Sequence, residues 1–249
     1  MTEFLNILLA ILLGIAVPVG IVALLVFLIG RAGRRHQQRA NALASTASHL
    51  GLTYEPWDPF NLPFKFEGLK AFGRGSEERV YNVLHGQADF GYVILCDYSY
   101  TVAEGKERHT HYRSYGLLST EMSFQHLELR PENFLDRVSA LAGMDDINFE
   151  SEEFNRKYFI RSKDRKFAYD IINPKMIDYL LDRDGIYMEL GGNVVLVHYK
   201  RQVSPEGFVD LYYTLRDIGA ALPDFCDCHK RDEGLAQPDG RRGLSPSSK

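Results

Sequence analysis

The N-terminal part of the chain is one long apolar run. Residues 4–29 contain no charged side chain, and four arginines then follow closely, namely Arg31, Arg34, Arg35 and Arg39. Because a helix of roughly 20 residues already crosses the hydrocarbon core of a bilayer, the pattern predicts a single transmembrane helix over residues 1–30. Its partner would be the lipid bilayer, contacted through residues 4–29.

The flanks of this run predict its orientation. Glu3 is the only charged side chain before it, whereas four arginines follow it, and the positive-inside rule then places the N-terminus outside and the following domain in the cytoplasm. A cleaved signal peptide is disfavoured, because the start is Met-Thr-Glu and the apolar run is too long. The arginines serve as a topology signal or contact anionic lipid headgroups.

A short polar helix is predicted to leave the membrane. Residues 36–50 are rich in Ala and Gln and stop before Gly51, a pattern typical of a helix with a glycine after its last residue. Residues 31–51 are therefore interpreted as a basic juxtamembrane connector helix.

Strand patterns follow in close succession. Apolar or alternating runs occur at 79–84, 91–100, 110–118 and 123–129, and together they predict an antiparallel meander. A turn about Gly105 would set Asp97 opposite Arg113, Tyr98 opposite Tyr112 and Ser99 opposite His111, which combines opposite charges and aromatic rings across the strands.

Helices and a hairpin are predicted after the meander. Pro131 would open a helix with the apolar stripe Phe134, Leu135, Val138 and Leu141, 157–161 reads as a strand, and Asn173-Pro174 and Ser204-Pro205 each start a further helix. Gly191-Gly192-Asn193 lies between two apolar runs, as in a β-hairpin. The fold class is thus α+β, with one domain over residues 52–228 and a disordered tail over 229–249.

Charge and cysteine content limit the functional classes. Residues 40–228 hold 20 basic and 29 acidic side chains, a formal charge of −9, which disfavours a general nucleic-acid surface. Cys96, Cys226 and Cys228 have no disulfide-framework spacing, and this suits a reducing compartment.

The order of several segments resembles a known family. NVLHG (82–86), YVILCDYSY (92–100), LRPENF (129–134), DINFESEEFNRKYFI (146–160) and AYDIINPKMIDYLL (168–181), followed by the Gly-Gly pattern, resemble an uncharacterised family of bacterial membrane-anchored proteins with a cytoplasmic α+β domain. The resemblance implies a bacterial inner-membrane protein. It supplies no activity and no functional residues.

Metal and cofactor sites are not predicted. His109 and His111 share one face of a strand but lack a third ligand, and Cys226, Cys228 and His229 lack a zinc-site spacing. The acidic residues between Asp145 and Glu153 lack the EF-hand pattern and resemble a charged helix start. Gly73-Arg74-Gly75-Ser76 lacks the third glycine and the lysine of phosphate loops and is interpreted as a flexible turn.

The remaining polar candidates form a weak cluster of Asp97, His109, His111 and Arg113. A structural ion pair is favoured over catalysis, because acid–base chemistry also needs a pocket. The chain has no G-x-S-x-G or H-E-x-x-H motif, which lowers the expectation of an enzyme without removing it.

These patterns favour a non-enzymatic protein-binding module at the cytoplasmic membrane face. Trp57 and Phe60, within a proline-rich aromatic segment, are the candidate interaction residues, although packing over the core is an alternative use for them. An unrecognised hydrolase or metal-dependent enzyme using Asp97, His109 or His111 is the second hypothesis. A structural or envelope-stress protein is the third.

Overall fold

The computed structural model describes residues 2–105, 107–132 and 147–223. The elements are, in chain order, α1 (Thr2–Leu50), β1 (Thr53–Trp57), α2 (Leu62–Lys65), β2 (Ser76–Ala88), β3 (Gly91–Glu104), β4 (Glu107–Pro131), α3 (Glu152–Lys157), β5 (Tyr158–Ser162), α4 (Arg165–Ile171), α5 (Pro174–Leu181), β6 (Tyr187–His198) and α6 (Gly207–Ala221).

Helix α1 runs without a break from Thr2 to Leu50 and thus across the boundary predicted at residue 30. Of the described residues, none belongs to a helix with both the length and the apolar composition that a bilayer crossing demands. The prediction of an N-terminal transmembrane helix is therefore wrong. Its apolar run is only part of a longer helix that carries exposed Arg31, Arg34 and Arg35. The bilayer contact and the cytoplasmic location, which no structural observation tests, stay predictions.

The C-terminal end of α1 belongs to the folded domain. Leu43 and Ala47 are buried there, one turn apart on the same helix face. The helix ends at Leu50, and Gly51 follows with φ of 69°, a left-handed conformation that glycine adopts without strain. The predicted helix end before Gly51 is confirmed.

The sheet is antiparallel throughout its described part. Strands β1, β2, β3 and β4 are neighbours in chain order, and β4 then pairs with both β5 and β6. The runs predicted at 110–118 and 123–129 are one strand, because β4 continues through 25 residues while its register against β6 shifts near Phe124.

The predicted register between β3 and β4 is wrong by one residue. Asp97 lies opposite Ser114, and Arg113 lies opposite Tyr98. The pairing continues as far as Glu104 opposite Glu107, so the connection is shorter than the loop that the prediction assumed. A shift of one residue places Asp97 and Arg113 on opposite faces of the sheet.

The predicted hairpin at Gly191-Gly192-Asn193 is also wrong. Strand β6 passes through these residues and pairs with β4 on both sides of them, Leu190 with Leu127 and Val194 with Ser119. Gly192 has φ of 60° and lies opposite Phe124, where the register shifts. The two glycines therefore let β6 bend with β4, as in a β-bulge.

Local capping patterns predict several helices correctly. Asn173 caps α5 by accepting a hydrogen bond from the Met176 N–H at 3.1 Å, with Pro174 in the first turn. Glu152 and Glu153 lie in the first turn of α3, as the charged pattern indicated, and β5 lies where a strand was predicted. Helix α6 begins at Gly207, later than the predicted start at Ser204.

Some predictions concern residues outside the described ranges. These are the helix predicted after Pro131 with Phe134, Leu135, Val138 and Leu141, the residues Asp145, Asp146, Cys226, Cys228 and His229, and the tail 229–249.

Two apolar cores cover the two faces of the sheet. The helix-side core joins Val93 and Leu95 of β3 to α1 and to Leu211 and Leu215 of α6. The loop-side core joins the opposite face of β3, including Tyr98 and Tyr100, to a segment of buried residues between α2 and β2, namely Leu69, Ala71 and Phe72. Both faces are therefore occupied.

Helix α6 lies close to the sheet at Gly116. A Cβ atom built there would be 2.9 Å from Leu211 Cγ and 3.0 Å from Leu215 Cδ1. We expect Gly116→Ala to lower the free energy of unfolding by about 1–3 kcal/mol, because overpacking forces a close helix–sheet contact apart.

Urea unfolding of the variant and of the wild type measures this change. Gly33→Ala is the control, because nothing lies within 4 Å of that position in α1 and alanine favours a helix. Equal stability of Gly116→Ala and the wild type would contradict the close packing.

Candidate functional site

Asp97 is bound by Arg39 and not by the residues predicted to accompany it. Its carboxylate accepts two hydrogen bonds from the Arg39 guanidinium, both at 2.7 Å, from Nε to Oδ2 and from Nη2 to Oδ1. The Asp97 side chain is fully buried, and that of Arg39 is 17% exposed. This bidentate geometry is the strongest form of the arginine–carboxylate pair.

Further side chains complete the shell around this carboxylate. Asn82 Nδ2 donates to Oδ2 at 2.9 Å, and Ser114 Oγ donates to Oδ1 at 2.8 Å. Ser114 Oγ in turn accepts from the backbone N–H of Val203, and Asn82 Oδ1 accepts from the Tyr54 hydroxyl. The network ties α1, β1, β2, β3 and β4 to the loop before α6.

The Asp97 network is therefore structural. A buried carboxylate with two guanidinium contacts and two further donors has no lone pair directed at a substrate. Arg39 was assigned with Arg31, Arg34 and Arg35 to the membrane flank. Only Arg39 points inward, where its guanidinium also lies 5.7 Å from the Phe208 ring centroid.

The two histidines of the predicted cluster lie away from Asp97. His109 pairs with Glu107 at 3.2 Å, and His111 stacks on Tyr100 with 5.1 Å between ring centroids. Both are exposed, on the face of the hairpin opposite to Asp97. Within the described ranges, no group of three or more His, Cys, Asp or Glu side chains is placed to hold a metal ion.

Arg113 lies on the loop-side face. Its Nη2 donates to the Tyr100 hydroxyl at 3.1 Å, and its Nη1 lies 3.4 Å from Nδ1 of His198. The same Nδ1 is only 3.0 Å from the Tyr199 carbonyl oxygen, so we assign Nδ1 as the proton donor to that oxygen. Nη1 of Arg113 then has no acceptor at His198.

Several buried polar atoms on this face lack well-formed hydrogen bonds. Among the described residues, no group meets hydrogen-bond geometry at the Nε atoms of Arg74 and Arg113 or at the Tyr98 hydroxyl. The rings of Tyr98, Tyr100 and Tyr115 pack together, with 4.9 Å between the centroids of Tyr98 and Tyr115. We call the group of Arg74, Tyr98, Tyr100, Arg113 and His198 the arginine–tyrosine cluster.

The pKa of His198 reports the environment of this cluster. Burial foremost, and then the positive charges of Arg113 and Arg74, lower the pKa from 6.5 to about 3 against the opposing effect of the Tyr199 carbonyl. The imidazole is therefore neutral at physiological pH. The sequence did not predict His198 or Arg74 as site residues. An isolated histidine at the end of an apolar strand belongs to no motif, and Arg74 was interpreted as part of a flexible turn.

A rigid turn holds the predicted interaction residues. The Asp58 carboxylate accepts hydrogen bonds from the N–H groups of Phe60 and Leu62 at 2.9 and 2.6 Å. Phe60 packs edge-on against His85, with centroids 4.8 Å apart. Trp57 and Phe64, on either side of the turn, are 75% and 72% exposed. Of the two predicted aromatic residues, Trp57 therefore faces solvent and Phe60 serves packing.

Comparison with known proteins gives a likeness of fold. Neither a protein-family model nor a curated protein sequence matches the chain. The crystal structure of the mycobacterial trehalose monomycolate transport factor A, TtfA, superposes with a TM-score of 0.52 and 14% sequence identity, covering 74% of this chain and 96% of that one. At this identity the two proteins share a fold, and the resemblance to an uncharacterised bacterial family stays a prediction.

The Arg39–Asp97 pair generates a stability prediction. Arg39→Ala should lower the free energy of unfolding by about 3–5 kcal/mol, because it leaves a buried carboxylate without its counter-ion. The control is Arg35→Ala at an exposed arginine of the same helix, which should change stability by no more than about 0.5 kcal/mol. Chemical denaturation measures both, and equal effects would show that the buried pair does not hold α1.

His198 generates a pH prediction. Because its pKa is lowered on folding, the unfolded chain binds a proton between pH 6.5 and about 3 that the folded chain does not bind. This contribution to stability is present above pH 6.5 and is lost as the pH falls. Between pH 7.5 and 5 the loss should be about 2 kcal/mol.

Urea titrations of the wild type and His198→Gln at both pH values measure this change. The variant should lose about 2 kcal/mol less than the wild type on acidification. His111→Gln, at an exposed imidazole, is the control and should follow the wild type. Parallel behaviour of His198→Gln and the wild type would contradict a buried neutral imidazole.

Proposed function

We propose that this chain is a non-enzymatic protein-binding module whose partner docks on the surface formed by Trp57 and Phe64. The observation that carries the proposal is the exposure of these two large aromatic side chains, 75% and 72%, on either side of one short turn. Tryptophan is strongly enriched among residues that dominate binding energy. Phe64 replaces Phe60 as the second interaction residue.

The rigidity of the turn supports this proposal. Asp58 fixes the backbone at Phe60 and Leu62, and the Leu62 side chain is fully buried. Trp57 and Phe64 are thus attached to an ordered scaffold. A partner that binds them loses less conformational entropy than one that must first order a loop.

The edge position of β1 determines how the partner would bind. Within the described sheet, β1 pairs with β2 alone, so its other edge carries no strand there. Pro56 has no N–H to offer to an added strand. The partner would therefore recognise the Trp57 and Phe64 side chains, and a basic apolar segment would suit the net negative charge of residues 40–228.

The alternative of catalysis by Asp97, His109 and His111 is less well supported. Asp97 is fully buried and bound to Arg39, whereas the two histidines lie exposed on the other face of the sheet. The structurally similar protein TtfA is, by its name, a transport factor.

Site-specific crosslinking tests the proposal. A photoreactive phenylalanine analogue at position 57 or 64 should capture a discrete partner in the native cell, because the partner covers both positions. The same analogue at position 112, where Tyr112 is 50% exposed on β4, is the matched control.

The captured partner is then titrated in purified form. Trp57→Ala should weaken its binding by about tenfold or more, as truncation of an aromatic anchor does, whereas Tyr112→Ala should leave the dissociation constant unchanged. Capture of the same proteins from positions 57, 64 and 112, or unchanged affinity of Trp57→Ala, would overturn the proposal.

A further inference from the structure

The arginine–tyrosine cluster contains two cations without an anion. Within the described ranges, neither Arg74 nor Arg113 has a carboxylate oxygen within 4.0 Å. Both side chains are half-buried, and in the part of the chain that the structure describes each Nε atom is buried without a hydrogen-bond acceptor. Buried charges in proteins are normally paired, so the two guanidiniums lack a negatively charged partner there.

The members of the cluster lie around the same rings. Phe72 packs edge-on against Tyr98 and Tyr115, with 5.4 Å between ring centroids in each case, and a Cβ atom built at Gly75 would lie 3.2 Å from the Tyr100 ring. Arg74 is therefore held beside the rings that Arg113 contacts through the Tyr100 hydroxyl, and the charges of both arginines act on Tyr115 and His198.

The Tyr98 side chain is fully buried. The Glu78 carboxylate acts on its hydroxyl by charge and by hydrogen bonding and raises the pKa of Tyr98, but within the described ranges no group meets full hydrogen-bond geometry at this hydroxyl. Glu78 forms no ion pair with either arginine within these ranges.

The backbone holds Arg74 in place. Glu189 accepts hydrogen bonds from the N–H groups of Lys70 and Ala71 at 2.5 and 2.8 Å, and the Tyr115 hydroxyl donates to the Ala71 carbonyl at 2.7 Å. Gly75 then lies so close to the Thr101 carbonyl that a Cβ atom has no room. The segment predicted to be a flexible turn is therefore tightly fixed against the sheet.

We propose that Arg74, Arg113 and the hydroxyl of Tyr98 bind a phosphate group at the loop-side face of the sheet. Two guanidinium forks supply the paired N–H donors that tetrahedral oxyanions accept. The Tyr98 phenol adds a neutral hydrogen-bond donor. The imidazole of His198 is neutral, so the positive charge of the site comes from the two arginines. The source of the group is either free inorganic phosphate or a small phosphate ester.

Calorimetric titration of the full chain with inorganic phosphate tests the site, with sodium chloride and sodium acetate at equal ionic strength as reference titrants. We expect saturable binding of phosphate only. Arg74→Gln and Arg113→Gln should each weaken it at least tenfold, and Arg113→Lys should also weaken it, because a point charge replaces the fork. Arg79→Gln, at an exposed arginine of β2, is the matched control and should bind as the wild type.

Tyr98→Phe separates binding from folding. Without phosphate its melting temperature should equal or exceed that of the wild type, because the variant removes a buried hydroxyl that lacks a well-formed hydrogen bond and lies beside the charge of Glu78. Its affinity for phosphate should fall about tenfold, as for one lost hydrogen bond to a charged group. Glu78→Gln should tighten binding, because it removes the neighbouring negative charge.

Glycerol 3-phosphate distinguishes the two sources. Tighter binding than that of inorganic phosphate assigns the site to an ester, and weaker binding assigns it to the free ion. The absence of saturable binding at millimolar phosphate, or equal affinity in the wild type and the Arg74→Gln/Arg113→Gln double variant, would overturn the proposal. Both results are independent of whether a protein docks at Trp57.

Discussion

The buried pair between Arg39 and Asp97 is the constraint on which the arrangement of this protein depends. Removing two charges from water is costly, and the cost is recovered only when every remaining donor and acceptor is satisfied. Asn82, Ser114 and the Val203 N–H meet that condition. The pair therefore requires α1, three neighbouring strands and the loop before α6 to assume their positions together.

The two faces of the sheet differ in how their polar groups are paired. On the helix side, close packing of α6 over Gly116 accompanies one fully satisfied polar network. On the loop side, the rings of Tyr98 and Tyr115 stack, and within the described ranges the buried Nε atoms of Arg74 and Arg113 lack acceptors.

The sequence predicted features that depend on neighbours along the chain. The cap at Asn173-Pro174 and the helix end at Gly51 follow from local backbone chemistry, and both were found. The predicted register of β3 against β4 was wrong by one residue, because the register depends on the length of the turn between the strands. The prediction of a hairpin at Gly191-Gly192 was wrong, because a pair of glycines is equally compatible with a bend within one strand.

The candidate sites were harder to predict, since they join distant residues. Arg39 and Asp97 are 58 positions apart, and nothing along the chain separates Arg39 from the exposed Arg31, Arg34 and Arg35. Trp57 and Phe60 have the same aromatic character, yet within the described ranges Phe60 packs against a ring and Trp57 does not. Arg74 and His198 lie in different elements and meet only through the fold.

Helix α1 also has a mechanical property. At 1.5 Å per residue its 49 residues span about 74 Å, and the Arg39–Asp97 pair holds it near one end. The helix is thus attached to the sheet near its C-terminal end, and the rest of its length extends from that attachment. A rotation of about 5° at Arg39 would displace the far end, about 55 Å away, by about 5 Å. Small rearrangements around the buried Asp97 carboxylate would in this way be amplified at the N-terminal end of α1.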